Sequence, residues 1–172
     1  MRSSRYSRAQ ASTPTFLIFA AVAAATLLAI AHIFETFGHL PPCELCLSQR
    51  DGYWAAFWAA LVGIGATRFW RRAPRWFAVL LGLIFLAETM LAAYHAGVEW
   101  KWWAGPTACT GTHATITAAD MSSLLKGVKV HMVRCDQAAW RWLGLSMAGW
   151  NTLCALALAI ASFAAASVRT RR

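Results

Sequence analysis

Four long apolar runs leave this chain few folds to choose from. They cover residues 15–37, 53–70, 76–95 and 143–168. A bilayer core about 30 Å thick is crossed by roughly 20 mainly apolar residues in a helix. Lipid offers no partner for open backbone groups, so each run must be helical. With 59% apolar and 13% charged residues among 172, the composition is not that of a soluble domain. The expectation is an all-α membrane protein. A single four-transmembrane-helix bundle would span 1–172, with no internal repeat, low-complexity tract or second domain.

Charge orients the bundle. A net +9 would suit nucleic acid if it were one patch, but it is not. Arg2, Arg5 and Arg8 precede the first run. Arg68, Arg71, Arg72 and Arg75 lie between the second and third, and Arg169, Arg171 and Arg172 follow the fourth. Those three places hold ten of the 16 basic residues and no acid. Basic loops stay in the cytoplasm, so both termini and the 68–75 connection belong there. Loops 38–52 and 96–142 then face the other side. In a bacterium that is the periplasm, where disulfides persist. The first run is longer than the apolar core of a cleaved signal and reads as a retained anchor.

Both outward loops carry cysteines. Cys43-Glu-Leu-Cys46 follows Pro41-Pro42 and opens the second helix. Proline is tolerated at a helix start, where no intrahelical N–H bond is lost. The helix N-terminus carries partial positive charge, which favours a thiolate at Cys46. Arg50 lies four residues further on the same face, where its permanent charge can stabilise an anion. CxxC spacing also serves zinc sites and structural disulfides, so those readings stay open on the residues alone.

The combination is more specific. Pro42-Cys43-Glu-Leu-Cys46-Leu-Ser-Gln49-Arg50 at the mouth of a second membrane helix resembles the DsbB family, bacterial inner-membrane disulfide-bond-formation proteins. Tyr94-His95 running into a Trp-rich segment and Cys109 is similar to that family. So is Arg134-Cys135-Asp136 followed by Trp140 and Leu143-Gly-Leu-Ser-Met147. The resemblance spans about 30–150. It implies a thiol–quinone oxidoreductase that reoxidises a periplasmic, DsbA-like thioredoxin-fold oxidase and passes electrons to a membrane quinone, ubiquinone or menaquinone. It implies catalytic roles for Cys43, Cys46, Cys109 and Cys135. Cys109 is the sulfur attacked by the partner, and Cys135 is the one relayed to Cys43. It also places His95 near the quinone.

The remaining features are weaker. Thr117-Ala-Ala-Asp120 resembles a capping box, and Met121, Leu124, Leu125 and Val128 follow at helical spacing. A short amphipathic helix lying on the membrane is expected there, with Lys126 and Lys129 toward headgroups. Three Trp within 100–103 suit the membrane interface. Glu88, an acid inside the third run, is a candidate proton acceptor at the quinone site. His32 and Glu35 read as an interfacial pair, and Cys154 as inert apolar filler. Three other readings compete. One is a membrane protein using the four loop cysteines as metal ligands, although no metal site is favoured. Another is a scaffold with two structural disulfides. The third is a vitamin-K-epoxide-reductase-like enzyme, whose CxxC comes late in the chain rather than before the second helix.

Overall fold

The structure, a computed structural model, describes residues 3–106 and 134–167, the side chains of 3–12 excepted. Cys109 and the segment expected to form an amphipathic helix lie outside the described residues. Four helices are described: α1 (Ser3–Thr36), α2 (Glu44–Ala66), α3 (Ala73–Glu99) and α4 (Met147–Ser167). One two-residue ladder, β1 (Arg141–Trp142) against β2 (Leu145–Ser146), precedes α4.

Three helical stretches are long and apolar enough to cross a membrane: Thr13–Thr36 of α1, then α3 and α4. α2 has 23 residues. Its first two turns carry Glu44, Gln49, Arg50 and Asp51, which dilute its apolar character.

Local chemistry moves several boundaries away from the apolar runs. α2 starts at Glu44 rather than 53. Cys43 is its N-cap, in extended geometry, and the Cys43 sulfur accepts from the Cys46 N–H. The helix ends at Ala66 rather than 70, where the Thr67 hydroxyl donates to the Ile64 carbonyl at 2.6 Å. α3 begins at Ala73 with proline in its first turn, where a missing N–H costs nothing, and continues past 95 to Glu99. α4 begins at Met147 rather than 143. Leu143 and Gly144 have φ of 51° and 81°, the positive pair that a two-residue hairpin turn needs. That turn pairs Arg141 with Ser146 and Trp142 with Leu145. The hairpin leads directly into α4.

Helix contacts are dominated by α3 on α4, with α2 packed against both α1 and α3. The shared core joins Leu17, Ala20 and Ala24 of α1 to Tyr53 and Ala56 of α2, Leu81 and Phe85 of α3, and Leu158 of α4. Small residues at these seams let backbones approach closely, as membrane helices require. A Cβ on Gly82 would sit 2.7 Å from the Phe163 ring, so α3 and α4 meet there through the missing side chain. Large apolar side chains, Val22, Val62, Leu83, Met90 and Ile160 among them, face outward. An apolar exterior of this kind suits lipid as its solvent. Hydroxyls within the helices are satisfied internally: Thr26, Thr89, Thr152 and Ser162 each donate to the carbonyl four residues earlier.

Candidate functional site

The end of the bundle where α2 starts and α3 finishes gathers most of the sequence-predicted residues that the structure describes. Cys43 and Cys46 bring their sulfurs to 3.1 Å, with the Cys43 thiol donating to Cys46. The spacing follows from the cap: the N-cap side chain folds back toward the N–H three residues on. Both residues precede the apolar part of α2. The Cys43 thiol is pushed up to about 12, first by the contact with Cys46 and then by burial, with a hydrogen bond to His95 opposing. Cys46 is pulled below the ordinary thiol range, first by the hydrogen bond it accepts from Cys43. Burial opposes this, and a hydrogen bond with the Cys43 backbone adds to it. Cys46 is therefore the more acidic sulfur of the reduced pair.

His95, on the last turns of α3, lies against the pair. Its Nε2 is 3.7 Å from the Cys43 sulfur and 3.9 Å from Glu99 Oε1. The Cys135 backbone lies beside the ring. Gln49 Nε2 stands 3.0 Å from His95 Nδ1. Behind Gln49, Asn151 of α4 donates to Gln49 Oε1 at 2.7 Å and to Glu88 Oε1 at 3.4 Å. The Tyr53 hydroxyl donates to Asn151 Oδ1 at 2.5 Å. Glu99 is bound by Ser146 through one oxygen. Its Oε2 is the buried side-chain atom left without a partner among the described residues.

Cys135 reaches the same place from the second loop. It is buried, and it packs with Cys43, Leu45 and Val98, with Cys46 and Leu91 beside them. Arg134 and Asp136 clamp the chain on either side of it through two hydrogen bonds of 2.9 Å. With the flanking charges paired outside, Cys135 points inward.

A cavity of about 380 Å³ opens beside Cys46. That falls within the range of about 300–1,000 Å³ common for small-molecule sites. Its walls are mostly apolar, with Leu27, Ile30, Phe34, Trp140, Met147 and Trp150 among them. Its polar edge is made by Gln49, Arg50, Tyr53, His95 and Asn151. The Arg50 guanidinium ion-pairs with Glu35 of α1 and donates to the Ala31 carbonyl at 3.1 Å. Trp140 packs on Phe34 with ring centroids 5.3 Å apart and closes one side. The donor atoms of Cys43, Cys46 and His95 all lie within 4.8 Å of one another, close enough to hold a metal ion.

With this geometry in view, the comparisons with known proteins are decisive. Residues 13–165 match the family described as disulfide bond formation protein DsbB. The chain belongs to the DsbB family. A disulfide bond formation protein B of Idiomarina loihiensis is 29% identical over 128 residues, covering 74% of this chain and 70% of the relative. Disulfide bond formation protein B 2 of Pseudomonas putida is 32% identical over 148 residues, 84% of each chain. A further relative of the same name from Acinetobacter baumannii is 27% identical over 113 residues. As a DsbB family member with three long apolar helices, the chain is a multi-pass membrane protein of disulfide bond formation, a disulfide-forming oxidoreductase.

Placed in this DsbB fold, Cys43, Cys46, Cys135 and His95 form one cluster, with Arg50 on the cavity beside it. Glu88 lies further along the Asn151 branch and is buried. Sequence reasoning overlooked four participants. Glu35, read as interfacial, binds Arg50. Gln49 entered only as a motif position without a role, and Tyr53 and Asn151 went unnoticed, because an isolated amide or phenol in a helix carries no pattern. Gln49 and Tyr53 are four apart on α2, one helical face, and that spacing was the available signal. Cys154, expected to be filler, lies on the cavity wall.

Proposed function

We propose that this protein is a thiol–quinone oxidoreductase of the bacterial inner membrane that reoxidises a periplasmic DsbA-like dithiol oxidase. One observation carries the reading: three cysteines and a histidine meet where an apolar cavity opens beside an arginine. A quinone has an apolar body and carbonyl oxygens at its ring, and the cavity has apolar walls with polar groups at one edge. When bound, a quinone, ubiquinone or menaquinone, supplies a sink for two electrons and two protons.

The chain's own residues do the thiol chemistry. The partner's thiolate attacks Cys109 of a Cys109–Cys135 disulfide, forming a mixed disulfide and releasing Cys135 as a thiolate. Cys135 attacks Cys43, forming a Cys43–Cys135 bond and releasing Cys46 as a thiolate. The buried contact of Cys135 with Cys43 suits that step. The partner's second cysteine resolves the mixed disulfide and frees Cys109. Attack of Cys109 on Cys135 then restores the loop disulfide and leaves the Cys43–Cys46 dithiol to be oxidised. Cys46 lies next to the cavity as the more acidic sulfur, and Arg50 on the cavity lining would stabilise negative charge on a quinone oxygen. His95 offers a hydrogen bond at Cys43. All four helices cross the membrane in this reading, in one domain with both termini cytoplasmic and both cysteine loops periplasmic.

The test is extraction of full-length protein, purified in mild detergent, for bound quinone. Stoichiometric quinone is expected, with loss of its oxidised absorbance when reduced partner is added. Protein that carries no quinone and oxidises no dithiol when quinone is supplied would refute the proposal. Membrane-impermeant labels should reach a cysteine placed at Lys126 from the periplasm and one placed at Arg71 only after the membrane is opened. The clustered Cys43, Cys46 and His95 donors favour a second reading, a metal site. Stoichiometric zinc in protein purified under reducing conditions would support that instead.

A further inference from the structure

We propose that Glu88, Asn151 and Gln49 form a one-way hydrogen-bond chain that holds His95 in the tautomer with its proton on Nε2, facing the Cys43 sulfur. The chemical use of that proton rests on Cys43–Cys46 being the redox pair; the geometry itself does not.

Each link fixes the direction of the next. Asn151 turns its amide nitrogen to Glu88 Oε1, at 3.4 Å, and an N–H can only donate. The Tyr53 hydroxyl donates to Asn151 Oδ1 at 2.5 Å and locks that orientation. The second amide hydrogen of Asn151 goes to Gln49 Oε1, at 2.7 Å. With its oxygen taken, Gln49 presents its amide nitrogen to His95 Nδ1 at 3.0 Å. An N–H donor facing Nδ1 needs a lone pair there. The ring proton therefore sits on Nε2, the nitrogen 3.7 Å from the Cys43 sulfur and 3.9 Å from Glu99 Oε1, both acceptors.

The chain orients and does not conduct. Two carboxamides lie between Glu88 and His95, and an amide neither takes up nor gives up a proton readily. Glu88 thus acts on the sulfurs through the direction it imposes rather than as a proton store for them. Its place is built in: a Cβ on Gly52 would fall 2.1 Å from Glu88 Oε2, so α2 leaves room for the carboxyl. The result is a ring that donates to Cys43 whenever that sulfur carries charge and has no lone pair there to take its proton. Glu88, Asn151 and Gln49 are positioning residues, and His95 is the group that touches the reacting sulfur.

The tautomer can be read directly in reduced, full-length protein in detergent with 15N-labelled histidine, His95 being assigned by its loss in His95→Asn. The expected spectrum has Nε2 protonated and Nδ1 bare. Gln49→Glu places an acceptor opposite Nδ1 at almost unchanged size, and the two nitrogen shifts should exchange. Asn151→Leu removes the group that aims Gln49, and a mixture of both tautomers is expected. A wild-type ring protonated on Nδ1 overturns the proposal. A Gln49→Glu spectrum identical to wild type overturns it too. Failure of quinone turnover with the Nε2 tautomer intact would count against the proposed function and leave the chain of hydrogen bonds standing.

Discussion

Glu35, on the last turn of α1, ion-pairs with Arg50, on the second turn of α2. With the Ala31 carbonyl at 3.1 Å on its other arm, the guanidinium is held from one side by a single helix. The remaining face of Arg50 borders the cavity. A planar fork held this way is already oriented, and Lys has no equivalent.

Arg50→Met is expected to lower quinone turnover by about a hundredfold, about 2.7 kcal/mol of transition-state stabilisation. Partner capture and thermal stability should change little. Arg50→Lys should recover part of the loss because the charge remains. Glu35→Gln keeps an acceptor but not the charge, and the KM for quinone should rise by roughly three- to tenfold, about 0.7–1.4 kcal/mol. Steady-state kinetics with a soluble short-chain quinone check all three. Wild-type kinetics in Arg50→Met would remove Arg50 from the site.

The reduced cysteine pair should titrate unequally. Cys46 lies below the ordinary thiol range because it accepts from Cys43, and Cys43 is pushed up to about 12. A lowered group is anionic above its own value and loses that charge only as pH falls through it. Alkylation at neutral pH should therefore fall on Cys46, with Cys43 labelled only in strong base. Cys43→Ala removes the largest cause of the lowering, so the alkylation curve of Cys46 should move to higher pH. Mass spectrometry of protein alkylated across a pH series reads both sites, and equal rates at neutral pH would contradict the assignment.

Gly52 and Glu88 should behave as a coupled pair. Gly52→Ala forces a methyl to within 2.1 Å of Glu88 Oε2, so the carboxyl must move in a packed interior. Overpacking of this kind costs about 1–3 kcal/mol. Adding Glu88→Ala to Gly52→Ala removes the clash and should restore most of the lost stability. Thermal unfolding in detergent of the two single variants and the double variant gives the coupling. Additive losses would mean that the two positions do not meet.

Much of this architecture was legible in the sequence. The apolar runs located all four helices, and the Pro-Pro-Cys start placed Cys43 and Cys46 at a helix N-terminus. Boundaries failed where polar local chemistry overrode hydropathy. The Cys43 cap starts α2 inside a polar stretch, and the Leu143-Gly144 turn delays α4. The cysteine motifs and His95 could be picked out because they carry recognisable chemistry. Asn151 and Gln49 lie 102 residues apart and meet only because α2 and α4 face one cavity. No local pattern records such a meeting. The pairing of Glu35 was not legible for the same reason, since its partner Arg50 is on another helix.

The two ends of the second loop should differ in reach. Cys135 is 1% exposed and packed against Cys43, a position that a soluble protein cannot enter without displacing the loop. If Cys109 is the entry sulfur, Cys135→Ser leaves it as a free thiol toward the periplasm. Such a variant can be given a partner that lacks its resolving cysteine and carries its exposed cysteine as a mixed disulfide with a small thiol. The Cys109 thiolate attacks the partner's sulfur, expels the small thiol and forms a protein–protein disulfide. In protein whose Cys43–Cys46 pair is first oxidised, no neighbouring thiol of the loops can then resolve it. The reciprocal Cys109→Ser variant should trap at most a tenth as much, on the order of 1.4 kcal/mol in relative access. Non-reducing gels of both variants at matched concentration measure the ratio. Equal trapping would mean that the loop has no fixed polarity. Trapping at Cys46 in preference to both would mean that electrons enter through the first loop, and the order of transfer proposed for the four cysteines would have to be reversed.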